Sequence, residues 1–424
     1  MTNAYQSYEK VRQSIAKGAN PRRIPELDRF IPDYNGKTNE ELMQILLGTV
    51  FDPDVLYDFL DGKFKSLVET TANQGTKRTG QLSWGAGFNG RAAQMAYERT
   101  GQTRFIELYI KFFNEMLAFR DDALGLYDHY HDRIMTSWGV DGESVTTNAG
   151  YGIWCSHVTH YSVLMEPATG IARLIHERPE LSAYKDFADR IVADFNQGYR
   201  EFDMDIRHIP GTEEIWYWRP TKFQYEATNH LHLQGEALLN MYAITKDQVY
   251  ADRIASLLRT FEKSARIDNK GFAAWDYHPY FAQSGSANNR RQKSEFIWKA
   301  SFTVPFVYAA NQQGFPVDRT LIDAMTKTIR DHVLANNDYA GNLHPRGSKP
   351  FLQRLRNPVS AEGSKALSIV GFLAASVEDP SITDQLRTIV ATRRDIFPSG
   401  WLRPAERKPS VKGPLGYAFM MKPS

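Results

Sequence analysis

Cysteine is almost absent from this sequence, which has a single copy, Cys155, in 424 residues. One thiol excludes an intramolecular disulfide and any zinc site built from several cysteines. Charge of one sign is not in excess either, because the sequence has 51 lysine and arginine residues and 49 acidic residues, a net charge of +2. A nearly balanced chain lacks the basic field of a nucleic-acid-binding protein, so we expect no nucleic-acid partner.

Long apolar runs are also missing. No stretch approaches the roughly 18 consecutive apolar residues of a membrane-spanning helix, so we expect no membrane partner. The N-terminal residues lack the basic segment and apolar run of a secretory leader. The compartment therefore stays open between the cytoplasm and export with the leader removed. The oligomeric state stays open too, because no feature of the sequence bears on it.

Cofactor-binding motifs are absent as well. The chain has no glycine-rich dinucleotide fingerprint after a strand, no phosphate-binding loop and no Gly-x-Ser-x-Gly elbow. We therefore expect no cofactor. The residues that are present are those of a soluble globular protein with a large core, since 42% are hydrophobic and 24% are charged. Aromatic residues reach 12%, and such side chains serve both as core and as flat faces for sugars.

The dominant pattern after residue 38 is a repeated helical hairpin, meaning two consecutive segments with apolar residues at helical spacing. A short turn interrupts each hairpin, for example at residues 100–102 and 378–380. Residues 1–38 are polar, contain three prolines and are interpreted as an N-terminal arm. The clearest hairpins cover residues 92–119, 169–202, 234–265, 300–332 and 365–394, and an earlier pair covers 42–47 and 56–67.

Hairpins of this kind must stack on their neighbours, because one hairpin cannot bury its own apolar face. Stacking gives either an open solenoid or a closed ring with the first helices inside. The first helices, such as residues 300–310, are apolar on several faces, which favours the ring. The sequence therefore predicts an all-α fold, an α/α toroid of about six hairpins with few short strands in its loops. Residues 39–424 would form one domain.

The unusual residues gather in the segments that precede the first helices. In a ring these segments would meet at one end, and loops on a rigid scaffold are where binding and catalysis usually lie. The plainer interpretation is that long loops need aromatic side chains in order to pack. The segments hold seven of the eight tryptophans and cover residues 81–90, 138–160, 216–232, 272–298 and 342–363.

Residues 225–315 carry a resemblance to a known family. The chain reads NHLHLQGEALLNMYAITKD from residue 229, GFAAWDY from 271 and EFIWKAS from 295. This order resembles the α/α-toroid polysaccharide lyases that act on uronate polymers such as alginate and glucuronan, and the related helical domain of glucuronyl C5-epimerases. In such lyases an Asn-His pair near the cleft is followed by a catalytic tyrosine. Asn229 and His230 match the pair, Tyr277 or Tyr280 matches the tyrosine, and Trp298 departs from the family pattern, which has a histidine there.

The resemblance implies β-elimination across a 4-linked uronate. The substrate's carboxylate must be neutralised first, because the C5 proton is hard to remove beside an anion. Amide, imidazole and guanidinium groups can do this, and the planar fork of arginine suits a carboxylate best. The candidates for this step are Asn229, His230, Arg219, Arg290, Arg291 and Arg346.

Elimination then needs a base for the C5 proton and an acid for the leaving oxygen. His230 or an ionised tyrosine suits the base. We assign the acid to Tyr277, which could also act as base, with Tyr280 as the alternative. Glu226 lies four residues before His230 and would orient its imidazole by accepting an N–H.

A wider set of side chains is expected to hold the substrate, an acidic polysaccharide or oligosaccharide. Several have plainer interpretations: Asn229 could cap the helix that follows, and either tyrosine could lie in the core. Arg290 and Arg291 could belong to a solvated loop or to a mobile lid. Because His230 and His232 are two residues apart, only one is expected to point inward. The set comprises Trp84, Trp216, Trp218, Arg219, His232, Trp275, Arg290, Arg291, His157 and Arg346.

Three other functions stay open. A C5-epimerase would use the same proton abstraction without elimination, and a non-catalytic helical-repeat protein would bind a partner on its concave face. A glycoside hydrolase would use two carboxylates among Asp141, Glu143, Glu226, Asp276 and Glu295.

Residues 127–132 contain two histidines and two aspartates, but no suitably spaced partner stands out, so we assign no metal site there.

Overall fold

The computed structural model describes most of the chain, and within that part the protein is mostly helical with few short strands, as predicted. No helix in that part is both long and apolar enough to cross a bilayer. Three predicted binding residues, Arg290, Arg291 and Arg346, lie outside the described residues. The described residues are 10–15, 17–31, 33–50, 52–78, 80–141, 154–219, 224–284, 295, 297–335, 363–391 and 413–421.

The helices and strands of the described residues are as follows. The α-helices are α1 Leu27–Phe30, α2 Asn39–Val50, α3 Pro53–Gln74, α4 Gln81–Thr100, α5 Arg104–Leu117, α6 Asp121–Leu124, α7 Val158–Glu177, α8 Lys185–Arg200, α9 Thr228–Thr245, α10 Gln248–Ser264, α11 Ile297–Gln312, α12 Arg319–Thr328, α13 Ser381–Ala391 and α14 Gly413–Met420. The 3-10 helices are Pro21–Arg23, Gly75–Lys77, Pro179–Tyr184, Glu201–Asp205, Tyr280–Ser284 and Gly363–Val377, and Ile329–Val333 is a π turn. The strands are β1 Tyr127–Asp128, β2 Arg133–Ile134, β3 Val140–Asp141, β4 Trp154–Cys155, β5 Ile206–His208, β6 Ile215–Arg219, β7 Gln224–Tyr225, β8 Arg266–Ile267 and β9 Ala273–Ala274.

The strands form small antiparallel sheets between the helices. β1 pairs with β2, β3 with β4, and β8 with β9, while β5, β6 and β7 form one sheet in that order. In that sheet Trp218 of β6 lies opposite Tyr225 of β7. β7 ends one residue before Glu226, so this sheet leads directly into the start of α9.

The predicted turns lie between the observed helices. α4 ends at Thr100, and Gly101 follows it with a φ of 65°, a left-handed conformation that glycine adopts without strain. The first helix of a pair begins earlier than its apolar pattern predicts. α9 begins at Thr228 rather than at residue 234, and residues 81–90, predicted as a loop, are the first half of α4. Polar first turns hide a helix from a search for apolar periodicity.

Among the described residues, six helices, called the central helices below, contact one another in order. α4 contacts α7, α7 contacts α9, α9 contacts α11, and α11 contacts the helix Gly363–Val377. That helix contacts α14, and α14 contacts α4. The sixth central helix therefore comes from the C-terminal end of the chain. The apolar pattern predicts the remaining pair at residues 42–47 and 56–67 instead, and it does not include Gly413–Met420.

The central helices and their partners differ in burial. α7 is buried on all sides along most of its length, as expected for a helix surrounded by others. α8, which packs on α7, buries only the stripe that contains Phe187, Ile191 and Phe195. Residues of the predicted N-terminal arm, including Ile15 and Leu27, are buried in the same hydrophobic core as the central helices.

Glycine lets two of these helix pairs approach closely. A Cβ on Gly87 of α4 would lie 2.6 Å from the backbone oxygen of Val163 of α7. A Cβ on Gly371 would lie 2.1 Å from the backbone oxygen of Ser301 of α11. Both distances are too short for real atoms, so these contacts require glycine.

Buried ion pairs fix the loops before α7. Arg78 donates to Asp121 at 2.9 Å, and both side chains are almost fully buried. The histidine of residues 127–132 that is buried, His131, lies between two carboxylates. Its Nδ1 is 2.8 Å from Asp128 and its Nε2 is 3.1 Å from Asp205. This triad joins the β1–β2 hairpin to the 3-10 helix Glu201–Asp205.

Candidate functional site

A small apolar cluster lies between four of the central helices, apart from the main core. Trp84, one turn before Phe88 on α4, packs on this cluster, with 6.0 Å between its ring centroid and that of Phe302. On its other side Trp84 meets the imidazole of His230 at 5.8 Å. The cluster takes one residue from each helix: Phe88, Val163, Leu233 and Phe302.

Glu226 and His230 form a buried pair beside Trp84. Oε1 of Glu226 lies 2.7 Å from Nδ1 of His230. Glu226 lies before the cap residue Ala227, and its side chain meets His230 in the first turn of α9. Two further contacts hold Glu226: the N–H of Ala227 donates to the same oxygen at 3.0 Å, and the indole of Trp216 donates to its backbone carbonyl at 2.8 Å.

Arg219 sets the charge of this pair. Its Nη1 lies 3.6 Å from Oε1 of Glu226. Burial opposes ionisation of Glu226, but the positive charge of Arg219 and the hydrogen bond from His230 outweigh it and hold the pKa of Glu226 well below its usual value. Burial lowers the pKa of His230, and Glu226 offsets this only in part. Near neutral pH the pair is therefore an ionised carboxylate and a neutral imidazole.

These charges fix the tautomer of His230. An ionised carboxylate only accepts hydrogen bonds, so Nδ1 carries the proton and donates it to Glu226. Nε2 then carries a lone pair. The side chain of His230 is 11% exposed, so part of the imidazole reaches the protein surface. A neutral imidazole oriented by a carboxylate is the arrangement that general bases use.

Tyr277 lies next to this imidazole. Its ring stands at 86° to that of His230, with 6.1 Å between the centroids. The N–H of Thr228 donates to the backbone carbonyl of Tyr277 at 2.9 Å, which ties the loop after β9 to the first turn of α9. Burial, and then the negative charge of Glu226, raises the pKa of Tyr277 above its usual value. A phenol that keeps its proton suits the role of acid better than that of base.

Lys299 is a neighbour of Tyr277 that the sequence analysis did not select. It is the third residue of α11, and its Nζ lies 3.4 Å from the centroid of the Tyr277 ring. Such a distance is well within the range of a cation–π contact. Its only signal in the sequence is its place in the matched segment EFIWKAS, which does not distinguish it from a surface lysine.

His157 and His160 bring a second pair of imidazoles from the start of α7. Their ring centroids are 3.9 Å apart, and both side chains are buried. Burial lowers the pKa of His160 to about 3, with a further contribution from Arg219, and it holds the pKa of His157 well below its usual value. Both are therefore neutral. Gly80 makes room for them, because a Cβ there would lie 2.6 Å from Nε2 of His160.

Buried polar atoms that lack a hydrogen-bond partner are concentrated around this pair. Leaving one such group unsatisfied costs about 1–3 kcal/mol, so native proteins keep few of them and often place them where a ligand binds. The start of α7 and the start of α9 contribute most of those near the Glu226–His230 pair. Within the described residues these atoms are both ring nitrogens of His157, Nδ1 of His160, Oε2 of Glu226, Oγ1 of Thr228 and Oδ1 of Asn229.

Two predicted stacking residues, Trp216 and Trp275, lie in the core instead. Each is fully buried and so offers no face to a sugar. Both use the indole N–H to hold an acidic residue: Trp216 binds the backbone of Glu226, and Trp275 donates to Oε2 of Glu295 at 2.5 Å. The flat indole ring predicts a stacking face for a sugar, but a buried indole with a satisfied N–H serves to position other residues from the core.

His232 also lies away from the site. It is fully buried between Phe306, on which it stacks at 4.8 Å, and the edge of Phe261 at 5.2 Å. Of His230 and His232, it is therefore His230 that lies beside Glu226 and Tyr277. Trp218 is partly buried and packs on Tyr225 with 5.4 Å between centroids.

Tyr280 and Asn229 differ from their predicted settings. Tyr280 begins a 3-10 helix, is 37% exposed and packs on Phe281, so of the two tyrosines it is Tyr277 that lies beside His230. Asn229 does not cap α9, because the helix already begins at Thr228 and its cap position is Ala227. Asn229 is instead the second residue of the helix, and its side chain is buried.

Two of the other carboxylates proposed for a hydrolase, Asp276 and Glu295, bind different partners. Asp276 binds Arg266 through both oxygens, at 2.9 and 2.8 Å. Glu295 is fully buried, and burial raises its pKa to about 8. Asp141 lies on β3, and Glu143 is outside the described residues. Glu226 is thus the one of these five that is placed against His230 and Tyr277 among the described residues.

Comparison of the chain with protein families, with characterised proteins and with solved structures finds no match. Within the described residues no group of three or more histidine, cysteine or acidic side chains is arranged to hold a metal ion. The inference about function therefore comes from the side chains around His230.

Proposed function

We propose that this protein is a polysaccharide lyase that cleaves a 4-linked polymer containing uronic acid by β-elimination. The observation that carries the proposal is the meeting of Glu226, His230 and Tyr277 at the start of α9. A carboxylate orients an imidazole, and a protonated phenol stands beside that imidazole. Elimination from a uronate needs these two functions, a base and an acid, within reach of one sugar ring.

His230 is the base in this proposal. Its neutral imidazole takes the C5 proton at Nε2, and the imidazolium that forms is stabilised by ionised Glu226 across the 2.7 Å hydrogen bond. Because burial keeps the pKa of His230 below its usual value, the base is already deprotonated at neutral pH. The buried pair thus favours proton abstraction once a substrate occupies the site.

Tyr277 is the acid. Its phenol retains its proton and gives it to the oxygen that leaves C4. The backbone hydrogen bond from Thr228 to Tyr277 holds the loop of the acid against the first turn of α9, which carries the base. Asn229, whose Oδ1 has no partner among the described residues, and the neutral pair His157 and His160 would contact the sugar or its carboxylate.

The scaffold that we propose for this chemistry is an α/α toroid. The ordered contacts of the six central helices and the amphipathic partner α8 support this topology. In a toroid the beginnings of α7, α9 and α11 face the same end, which agrees with the grouping of His157, His230 and Lys299 around one centre.

The test is a screen of the purified protein against glucuronan, alginate, polygalacturonate and glycosaminoglycans. Elimination creates a C4–C5 double bond, which absorbs in the ultraviolet, and neither hydrolysis nor epimerisation produces it. We expect growth of this absorbance with at least one polymer. New reducing ends without the absorbance would identify a hydrolase, and proton exchange at C5 without cleavage would identify an epimerase.

A further inference from the structure

The unpartnered polar atoms at the starts of α7 and α9 belong to deeply buried side chains. His157, Glu226 and Asn229 are each 1% exposed. Within the described residues, both ring nitrogens of His157, Oε2 of Glu226 and Oδ1 of Asn229 have no hydrogen-bond partner. Each such atom costs free energy when it is buried, so this set favours a bound group that pairs with several of them at once.

Electrostatic interactions show that these side chains surround one centre. The charges of Arg219 and Glu226 both act on the imidazoles of His157 and His160, and His157 acts on Glu226 in turn. The helices that carry them, α7 and α9, contact each other directly. Oε1 of Glu226 already accepts a hydrogen bond from His230, which leaves Oε2 for a ligand.

The hydrogen-bonding capacity of the set decides which group it can bind. Oε2 of ionised Glu226 and Oδ1 of Asn229 can only accept hydrogen bonds. The neutral imidazole of His157 offers one donor and one acceptor, and the unpartnered hydroxyl of Thr228 can serve as either. A carboxylate has no donor, so it would leave both acceptors unpaired and bring a second negative charge beside Glu226. A hydroxyl both donates and accepts, and it therefore matches the set.

We propose that these four side chains form a subsite for the hydroxyls of a sugar unit rather than for its carboxylate. The inference rests on the proposed function, because that function makes a sugar chain the ligand. A buried site that pairs with a substrate hydroxyl discriminates strongly against a sugar in which the hydroxyl is absent, since its own polar atoms then stay unpaired. Glu226 thus holds His230 with one oxygen and the sugar with the other.

The experiment uses Thr228→Val, which replaces the hydroxyl by a methyl group of similar size. Its substrates are two forms of the polyuronate that wild type cleaves, the free acid and its methyl ester. Esterification removes the carboxylate charge and keeps the ring hydroxyls. We expect kcat/KM to fall about 10-fold on both forms, as when one hydrogen bond is lost and its partner stays unpaired. Asn229→Leu should show the same pattern.

The matched control is Thr260→Val on α10. Thr260 is fully buried, and in the described part of the chain its hydroxyl also has no hydrogen-bond partner. Both valine variants should unfold at a urea concentration no lower than that of wild type, because each loses an unpaired buried hydroxyl. Thr260→Val should keep the wild-type kcat/KM on both forms, since Thr260 precedes Phe261 in the hydrophobic core.

A loss of equal size on acid and ester supports the inference. A loss confined to the acid would show that the subsite binds the carboxylate. An unchanged kcat/KM, or a lower urea midpoint, for Thr228→Val would show that its hydroxyl is structural. Each of these last results overturns the inference and leaves the lyase standing.

A separate outcome tests the proposed function. If wild type cleaves neither form, the lyase is wrong, and titration calorimetry with the same two polymers decides the inference instead. A weaker binding of both polymers by Thr228→Val than by wild type would then support it. It fails if neither polymer binds or if Thr228→Val binds them as tightly as wild type.

Discussion

The imidazole of His230 and the phenol of Tyr277 stand edge to face, 6.1 Å apart at their centroids, although one lies in the first turn of α9 and the other in the loop after β9. Glu226 holds the imidazole of His230, and the backbone N–H of Thr228 holds the backbone carbonyl of Tyr277. The separation fits a base and an acid that act on different atoms of one sugar ring rather than on each other.

Replacement of His230 by alanine should lower turnover of the polyuronate by about 100-fold or more, because the base is lost. The rate of double-bond formation measures this. The control is His208→Ala, since His208 is exposed at the end of β5. Because burial lowers the pKa of His230, kcat/KM of wild type should stay level as the pH falls through 6.5 and decline only below it. A His230→Ala rate within a few-fold of wild type would make this histidine structural.

Replacement of Tyr277 by phenylalanine should lower kcat by about 100-fold while KM changes little, because the ring is kept and only the proton donor is lost. Steady-state kinetics on the same polymer measure the split. Tyr280→Phe should retain wild-type activity, since Tyr280 lies on the exposed 3-10 helix. If Tyr280→Phe is the inactive variant, the two tyrosines have been assigned the wrong way round.

The triad of Asp128, His131 and Asp205 should make stability depend on pH. Although burial opposes protonation, hydrogen bonds to both carboxylates raise the pKa of His131 from 6.5 to about 9. Between these values the folded protein binds more protons than the unfolded chain, so the free energy of unfolding should fall as pH rises from 6.5 to 9. The full loss is on the order of 2–3 kcal/mol.

Urea unfolding of wild type and of His131→Gln at several pH values measures this contribution. The variant should be less stable at pH 6.5 and should have a smaller slope above it. His208→Gln, on the surface, should keep the wild-type slope. A wild-type slope of zero or of opposite sign over this range would show that the triad is not protonated as stated.

Replacement of Gly87 by alanine should destabilise the protein by about 1–3 kcal/mol, as overpacking does. Its Cβ would lie 2.6 Å from a backbone oxygen of α7, and backbone cannot give way as a side chain does. The matched control is Gly62→Ala on α3, where a Cβ meets nothing within 4 Å. This second change should stabilise by about 0.5–1 kcal/mol through helix propensity. Thermal unfolding of both variants measures the contrast, and equal effects would argue against close contact of α4 with α7.

The sequence by itself predicted the helical class and the turns between paired helices, whereas the expected meeting of His230 with Tyr277 or Tyr280 came from a family resemblance. Apolar periodicity and the residue types of turns are local properties, so they can be recognised without knowing which helices pack against each other. The role of Glu226, four residues before His230, was likewise predicted from its nearness in the sequence, since a carboxylate can orient an imidazole by accepting its N–H.

The tertiary structure decided which amphipathic residues face the site. Trp216, Trp275 and His232 resemble binding residues in the sequence, yet they lie in the core, while Lys299 reads as an ordinary lysine and lies over Tyr277. The sixth central helix also depended on tertiary contacts, because α14 meets α4 only through the fold. The physical reason is common to all of these: residue type sets what a side chain can do, whereas burial and neighbours distant in sequence set what it does.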